Sequence, residues 1–302
     1  MSPDVSAAIL RGLAILRDSM PEAQLVRILE SGDINQLFSA VLNDAVLERA
    51  FLPVREQIRS ATMANFRYFA RDLPKGGKID GVLAVSFDVL NPTVIDAVRA
   101  LDTKVVQGMS SDVRETVRAF TENGLRDGVS PRAIGRQIRD VVGLAPNQER
   151  AVANFRLLLE SGDRDALARK LRDKRFDRTL GKAFGGEGDG LTAKQIDGMV
   201  DAYRRKMLAF NANTQARTAA LDSTKSAQRL SWLDAADKGI VDRDRLVRTW
   251  RGVKDDRERD EHLAMEGETV PVDQPYSNGE MVPGESTYNC RCIEIFSQRT
   301  ER

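Results

Sequence analysis

The chain has one histidine, His262, and two cysteines, Cys290 and Cys292, and all three fall within about thirty positions of each other. Thiolate sulfur, imidazole nitrogen and carboxylate oxygen are the donors that zinc takes in four-coordinate sites. His262, Cys290, Cys292 and Asp256 could therefore close a tetrahedron. On a straight strand a Cys-x-Cys pair sets both thiols on one face about 7 Å apart, so one ion can hold both only where the backbone bends or bulges. A second reading keeps the cysteines as small buried residues, with His262 hydrogen-bonded to a carbonyl, to Asp256 or to Asp260. A third is catalytic: a Cys thiolate activated by His262 would give a hydrolase or transferase, and Asp255, Asp256 and Glu258 could hold a divalent ion for nuclease chemistry. No segment nearby reads as an oxyanion loop, and no second general base is at hand. A strain-free disulfide between residues separated by a single position is not expected.

Two segments have the character of strands that would position these groups. Leu246 to Val253 alternates apolar and basic residues around Thr249 and Trp250, and Cys290 to Phe296 does the same. The alternation puts Cys290, Cys292 and Glu294 on one face and Arg291, Ile293 and Ile295 on the other. Antiparallel pairing of the two would enclose the His262 segment and the loop from Pro271 to Tyr288. In so small a module an arginine buried against carboxylates, drawn from Asp256, Arg257 and Arg259, could lock a loop onto the sheet. Trp232 and Trp250 read as core bulk for that module.

The order Asp256-Arg257-x-Arg259-x-x-His262, then a turn at Met265 and Gly267, then Pro283-Gly284 and Cys290-Arg291-Cys292, resembles the C-terminal module of the phage Mu protein F-like family, the minor head or head morphogenesis proteins of tailed bacteriophages. Tyr203 to Leu208 and Ala216-Arg217-Thr218-Ala219 resemble the helical part of the same module, although Ala219 stands where the family usually has a glutamate. On this resemblance Trp250, Asp256, Arg257, Arg259, His262, Pro283, Gly284, Cys290 and Cys292 form a structural signature. It implies a minor capsid protein in a few copies per head. Its partners would be the portal protein and the major capsid or scaffolding protein, and it could lie beside packaged DNA. It would be assembled in the bacterial cytoplasm, located in the capsid interior, and would bind and position without turnover. The alternative is an enzyme, a toxin-like effector joined to the module; the roughly ten residues after Cys292 leave no room for an added domain.

The rest of the chain reads as helices. Of 302 residues, 41% are hydrophobic, 30% charged and only 6% aromatic, and 46 Lys plus Arg face 45 Asp plus Glu for a net charge of +1. That balance excludes a chain that binds nucleic acid by bulk charge. It predicts a mainly α protein: an elongated helical domain over 1–185, then a module over 186–302 of helices followed by a small antiparallel β unit. No apolar run is long enough to span a membrane, and Arg11, Arg17 and Asp18 interrupt any leader-like core. Ile9, Leu13 and Leu16, then Leu25, Ile28 and Leu29, recur at helical spacing. Ser130-Pro131 reads as a cap and first-turn proline, with Val129, Ile134, Ile138 and Val141 facing a partner helix. Thr192 reads as the cap of a later helix. Leu73 to Lys78 reads as a link, Val82 to Phe87 as a short extended piece, and the glycine-rich run 184–190 as the boundary between the two parts. Within a basic, helix-like stretch from Arg164 to Lys182, the residues Arg169, Lys170, Arg172, Lys174 and Arg175 are candidates for contact with DNA or the capsid.

Overall fold

The computed structural model describes residues 2–69, 92–185 and 190–299. The expected link at Leu73 to Lys78, the extended piece at Val82 to Phe87 and the centre of the glycine-rich run lie outside them. The protein is mainly α, with one small three-stranded antiparallel sheet near the C-terminus. Among the described residues, eight α-helices precede the sheet: α1 (Ser2–Asp18), α2 (Glu22–Glu30), α3 (Asp44–Phe69), α4 (Pro92–Arg126), α5 (Pro131–Val141), α6 (Pro146–Glu160), α7 (Asp177–Phe184) and α8 (Ala193–Asp237), with a π-helical turn at Leu37–Val41 between α2 and α3. The chain divides into two compact units, one made of Ser6–Val54 and Val106–Asn213, the other of Met1–Val5, Arg55–Val105 and Thr214–Arg302.

In the first unit the helical periodicity reads directly onto burial. Ile9, Leu13 and Leu16 of α1 and Leu25, Ile28 and Leu29 of α2 are all buried. Ser130 accepts a hydrogen bond from the Ala133 N–H, and Pro131 occupies the first turn of α5, where its missing donor costs nothing. Ile134, Ile138 and Val141 are buried, whereas Val129 is left at the exposed edge. The partner of α5 is α2: a Cβ on Gly135 would lie 2.9 Å from the Val26 side chain, so glycine is what allows the two backbones their approach. Thr192 and Gln195 cap α8 reciprocally. The Thr192 N–H donates to Gln195 Oε1 at 2.8 Å, and the Gln195 N–H donates to Thr192 Oγ1 at 3.3 Å.

The basic stretch departs from expectation. It forms two short 3-10 turns, Arg164–Ala168 and Lys174–Phe176, before α7 begins. Asp163 and Asp173 cause this: each carboxylate accepts the N–H two residues on, at 2.9 and 3.1 Å, a local bond that competes with helix propagation. The phrase Glu-Ser-Gly-Asp, which occurs at both 30–33 and 160–163, folds alike in each place. Its glycine turns left-handed (φ 76° and 71°) and its aspartate caps the next turn.

The second unit joins the C-terminal parts of α3 and α8 to the sheet. Phe66, Val98 and Ala227 form one apolar cluster. Asp102, fully buried on α4, is held by Arg55 at 3.5 Å and by Arg59. Ser223 of α8 donates to Thr62 of α3 at 3.0 Å. After Gly239, in left-handed conformation, come β1 (Leu246–Arg251), α9 (Asp260–Leu263), β2 (Thr269–Pro271) and β3 (Ile293–Gln298). The sheet order is β2-β1-β3. The expected pairing of the first and last strands is present, with Arg248 opposite Phe296 and Trp250 opposite Glu294; the short β2 was not foreseen. Trp232 stacks on Phe296 at 5.7 Å, while Trp250 belongs to a neighbouring cluster with Met265, Tyr276, Cys290 and Cys292.

Candidate functional site

The predicted alternation around the thiols holds: Cys290, Cys292, Glu294 and Phe296 are buried while Ile293 and Ile295 are half exposed. Regular strand begins only at Ile293. Asn289, left-handed at φ 58°, turns the chain immediately before the first thiol. Both thiols therefore sit in irregular backbone ahead of β3, where a straight strand does not fix their separation. His262 is delivered from the other side by the single turn of α9, whose N–H groups bond back to the Arg259 and Asp260 carbonyls. Its Nδ1 lies 3.4 Å from Cys290 Sγ and 3.6 Å from Cys292 Sγ. Ligand atoms of these three residues all lie within 4.8 Å of each other. The edge of Trp250 abuts the imidazole at 5.4 Å and fixes the ring plane.

Asp256 does not join them; it is exposed, and the carboxylate at the thiols is Glu258, whose Oε1 lies 3.5 Å from Cys292 Sγ. Glu258 sits where it does because its other oxygen accepts the Lys254 N–H at 2.6 Å, with Lys254 left-handed at φ 57°. Arg257 and Arg259 are exposed as well. Arg259 donates to the Tyr288 carbonyl at 3.0 Å, and Arg291 grips Asp255 with both arms of its guanidinium, which holds the Asp255 carboxyl well below the usual carboxylate range. The two thiols titrate as a pair. A hydrogen bond from Cys292 favours the Cys290 thiolate, helped by the Lys225 charge and opposed by burial, while the bond to Cys290 together with burial pushes Cys292 up.

An arginine does lock the module, but it is Arg248, in β1. Its side chain is fully buried, paired with Glu294 and donating to the carbonyls of Met281 and Gln274. Tyr276 donates to the same carboxylate at 3.1 Å and lies 4.6 Å from the guanidinium across its ring face. Burial and the Glu294 charge hold the Tyr276 hydroxyl far above its normal range. A polar face of α8 completes the frame. Thr218 accepts the Asn289 N–H at 3.0 Å, and the Lys225 ammonium donates to the carbonyls of Pro283 and Cys290 at 2.7 and 3.0 Å. Gln228 donates to the Glu294 carbonyl, and Arg229 to those of Val272 and Met281. These helix residues recur at seven, three and one positions, one face of α8. That stripe was the available sign of a docked loop.

The turn at Pro283-Gly284 is fixed by Glu280. Burial would raise its carboxyl, but bonds from the Ser286 and Gly284 N–H groups and the Ser286 hydroxyl outweigh burial and lower it. Gly284 is left-handed at φ 78°, and a Cβ there would overlap the Cys290 side chain, coming within 2.6 Å of its sulfur. Among the basic candidates, Arg172 is paired with Asp177 through two 2.9 Å bonds and Arg175 with Asp173 at 2.6 Å. Lys170 and Lys174 are exposed, and Arg169 is half-buried.

Residues 178–295 match a family described as Phage Mu protein F like protein. The match runs from α7 into β3 and takes in every group of the site. No curated protein and no solved structure matches the chain.

Proposed function

From the match of residues 178–295 to the phage Mu protein F-like family, a family of phage head morphogenesis, we propose a minor capsid protein that binds the portal vertex or the inner capsid shell during head assembly. The family match carries this reading. The site adds to it. Both sulfurs are buried, and the cavity they line with His262, Glu258 and Arg291 is about 20 Å³, room for an ion or one water molecule. A module knit together by Arg248, Lys225 and Arg229 presents a fixed surface, which suits positioning rather than turnover. Co-expression of the full chain with the portal protein of the same phage or prophage is expected to give co-elution at fixed stoichiometry. Free chain alongside free portal protein, together with absence from purified procapsids, would overturn the reading.

The same proposal assigns the surface around Arg169, Lys170, Arg172, Lys174 and Arg175 to contact with the capsid or with packaged DNA. Arg172 and Arg175 already satisfy local carboxylates, so Lys170 and Lys174 carry the charge free to act outward. For a DNA contact, Lys170→Glu with Lys174→Glu is expected to reduce the slope of log affinity against log salt by about 1.8, since each phosphate contact on duplex DNA contributes about 0.9. An unchanged slope removes DNA and leaves the capsid.

A further inference from the structure

We propose that Cys290, Cys292, His262 and Glu258 form a zinc site, with His262 binding through Nδ1. The distances support it. Zinc–sulfur bonds of about 2.3 Å and zinc–nitrogen or zinc–oxygen bonds of about 2.0–2.1 Å, set at tetrahedral angles, separate neighbouring ligand atoms by about 3.5 Å. The structure places Cys290 Sγ and Cys292 Sγ at 3.4 and 3.6 Å from His262 Nδ1, and Cys292 Sγ at 3.5 Å from Glu258 Oε1. Three edges are therefore already at that length, beside a cavity of about 20 Å³; the ligand atoms of His262, Cys290 and Cys292 lie within 4.8 Å of one another, and Glu258 meets this set at Cys292, so that its carboxylate closes the fourth corner by a side-chain shift.

Hydrogen bonding explains the cluster less well. One imidazole nitrogen carries either one proton or one lone pair, yet His262 Nδ1 faces two sulfurs at nearly equal distance. A cation at the centre satisfies all the donors at once, each sulfur binding as thiolate with its proton passing to solvent. The surroundings suit such a centre. His262 Nε2 points toward Glu261 Oε1 at 3.9 Å, the outward carboxylate that often orients a ligating imidazole. Lys225 fixes the Cys290 carbonyl, and the Arg291–Asp255 pair braces the residue between the two thiols. Two sulfurs, one nitrogen and one oxygen favour zinc over magnesium or calcium, which take oxygen donors.

The test uses the full chain, purified through a tag without histidine, with metal measured by elemental analysis. Zinc near one per chain is expected, as is a thiolate-to-metal charge-transfer band after replacement by cobalt. Cys290→Ser and Cys292→Ser should each lower the metal content and the band. Glu258→Gln, at the rim of the site, should keep the fold and surrender zinc to a competing chelator at least about tenfold more readily. Folded chain that takes up no zinc during growth or on later addition would overturn the site. Glu258→Gln with unchanged affinity would overturn the fourth ligand. Both readouts need no portal protein, so they succeed or fail independently of the assembly role.

Discussion

Arg248→Ala is expected to destabilise the C-terminal unit by about 3–5 kcal/mol, enough to unfold it under mild conditions, because it strands Glu294 as a buried charge without its partner. The loss reaches further than one ion pair. The Met281 and Gln274 carbonyls lose their donor, and the Tyr276 ring loses the guanidinium on its face. Both tryptophans of the chain, Trp232 and Trp250, lie in this unit, so intrinsic fluorescence during urea unfolding reports on it directly. The double variant Arg248→Met with Glu294→Leu is expected to recover much of the loss, because a buried pair replaced by apolar groups of similar volume is often near neutral. Equal midpoints for Arg248→Ala and the unmodified chain would show that Glu294 reaches water and that the arginine is not its essential partner.

Gly284→Ala is expected to cost about 3 kcal/mol or more and to displace Cys290. Two penalties combine. Left-handed backbone costs a residue with a side chain about 1–2 kcal/mol, and overfilling a packed site costs about 1–3 kcal/mol. Gly279 separates them: it too is left-handed, at φ 84°, but no atom lies within 4 Å of where its Cβ would be. Gly279→Ala should therefore carry only the backbone penalty, and the difference between the two midpoints in urea isolates the collision with Cys290. Equal midpoints would mean that the turn yields without strain and that Gly284 is not what seats the thiol.

The parts of this fold written in local pattern were legible. Helical stripes such as Ile9-Leu13-Leu16, the Ser130-Pro131 start and the inward set Cys290, Cys292 and Glu294 follow from periodicity or from one capping bond, each decided by residues a few positions apart. The basic stretch has the charge composition of a helix, whereas two aspartate side chains decide its local bonding. The carboxylate beside the thiols stands two positions from the expected Asp256. Asp256 and Glu258 are equally acidic in sequence, and which carboxylate points at the thiols is decided by the left-handed turn at Lys254 and its bond to Glu258. Nothing in the neighbouring residues marks Arg248 as buried, because its partner lies forty-six positions away. No local rule reports such a pairing.

The bonds from α8 to the loop before β3 bridge gaps of forty-three to seventy-one residues. Each must close a long loop before it is rewarded, as must the pairing of β1 with β3, so none of them is decided by neighbouring residues. A chain shortened just before Ile293 would retain Glu258, His262, Cys290 and Cys292, and would lack the strand whose pairing brings them to one place. The site thus depends on contacts between distant parts of the chain, and without the final strand its thiols would lie open to solvent and oxidants.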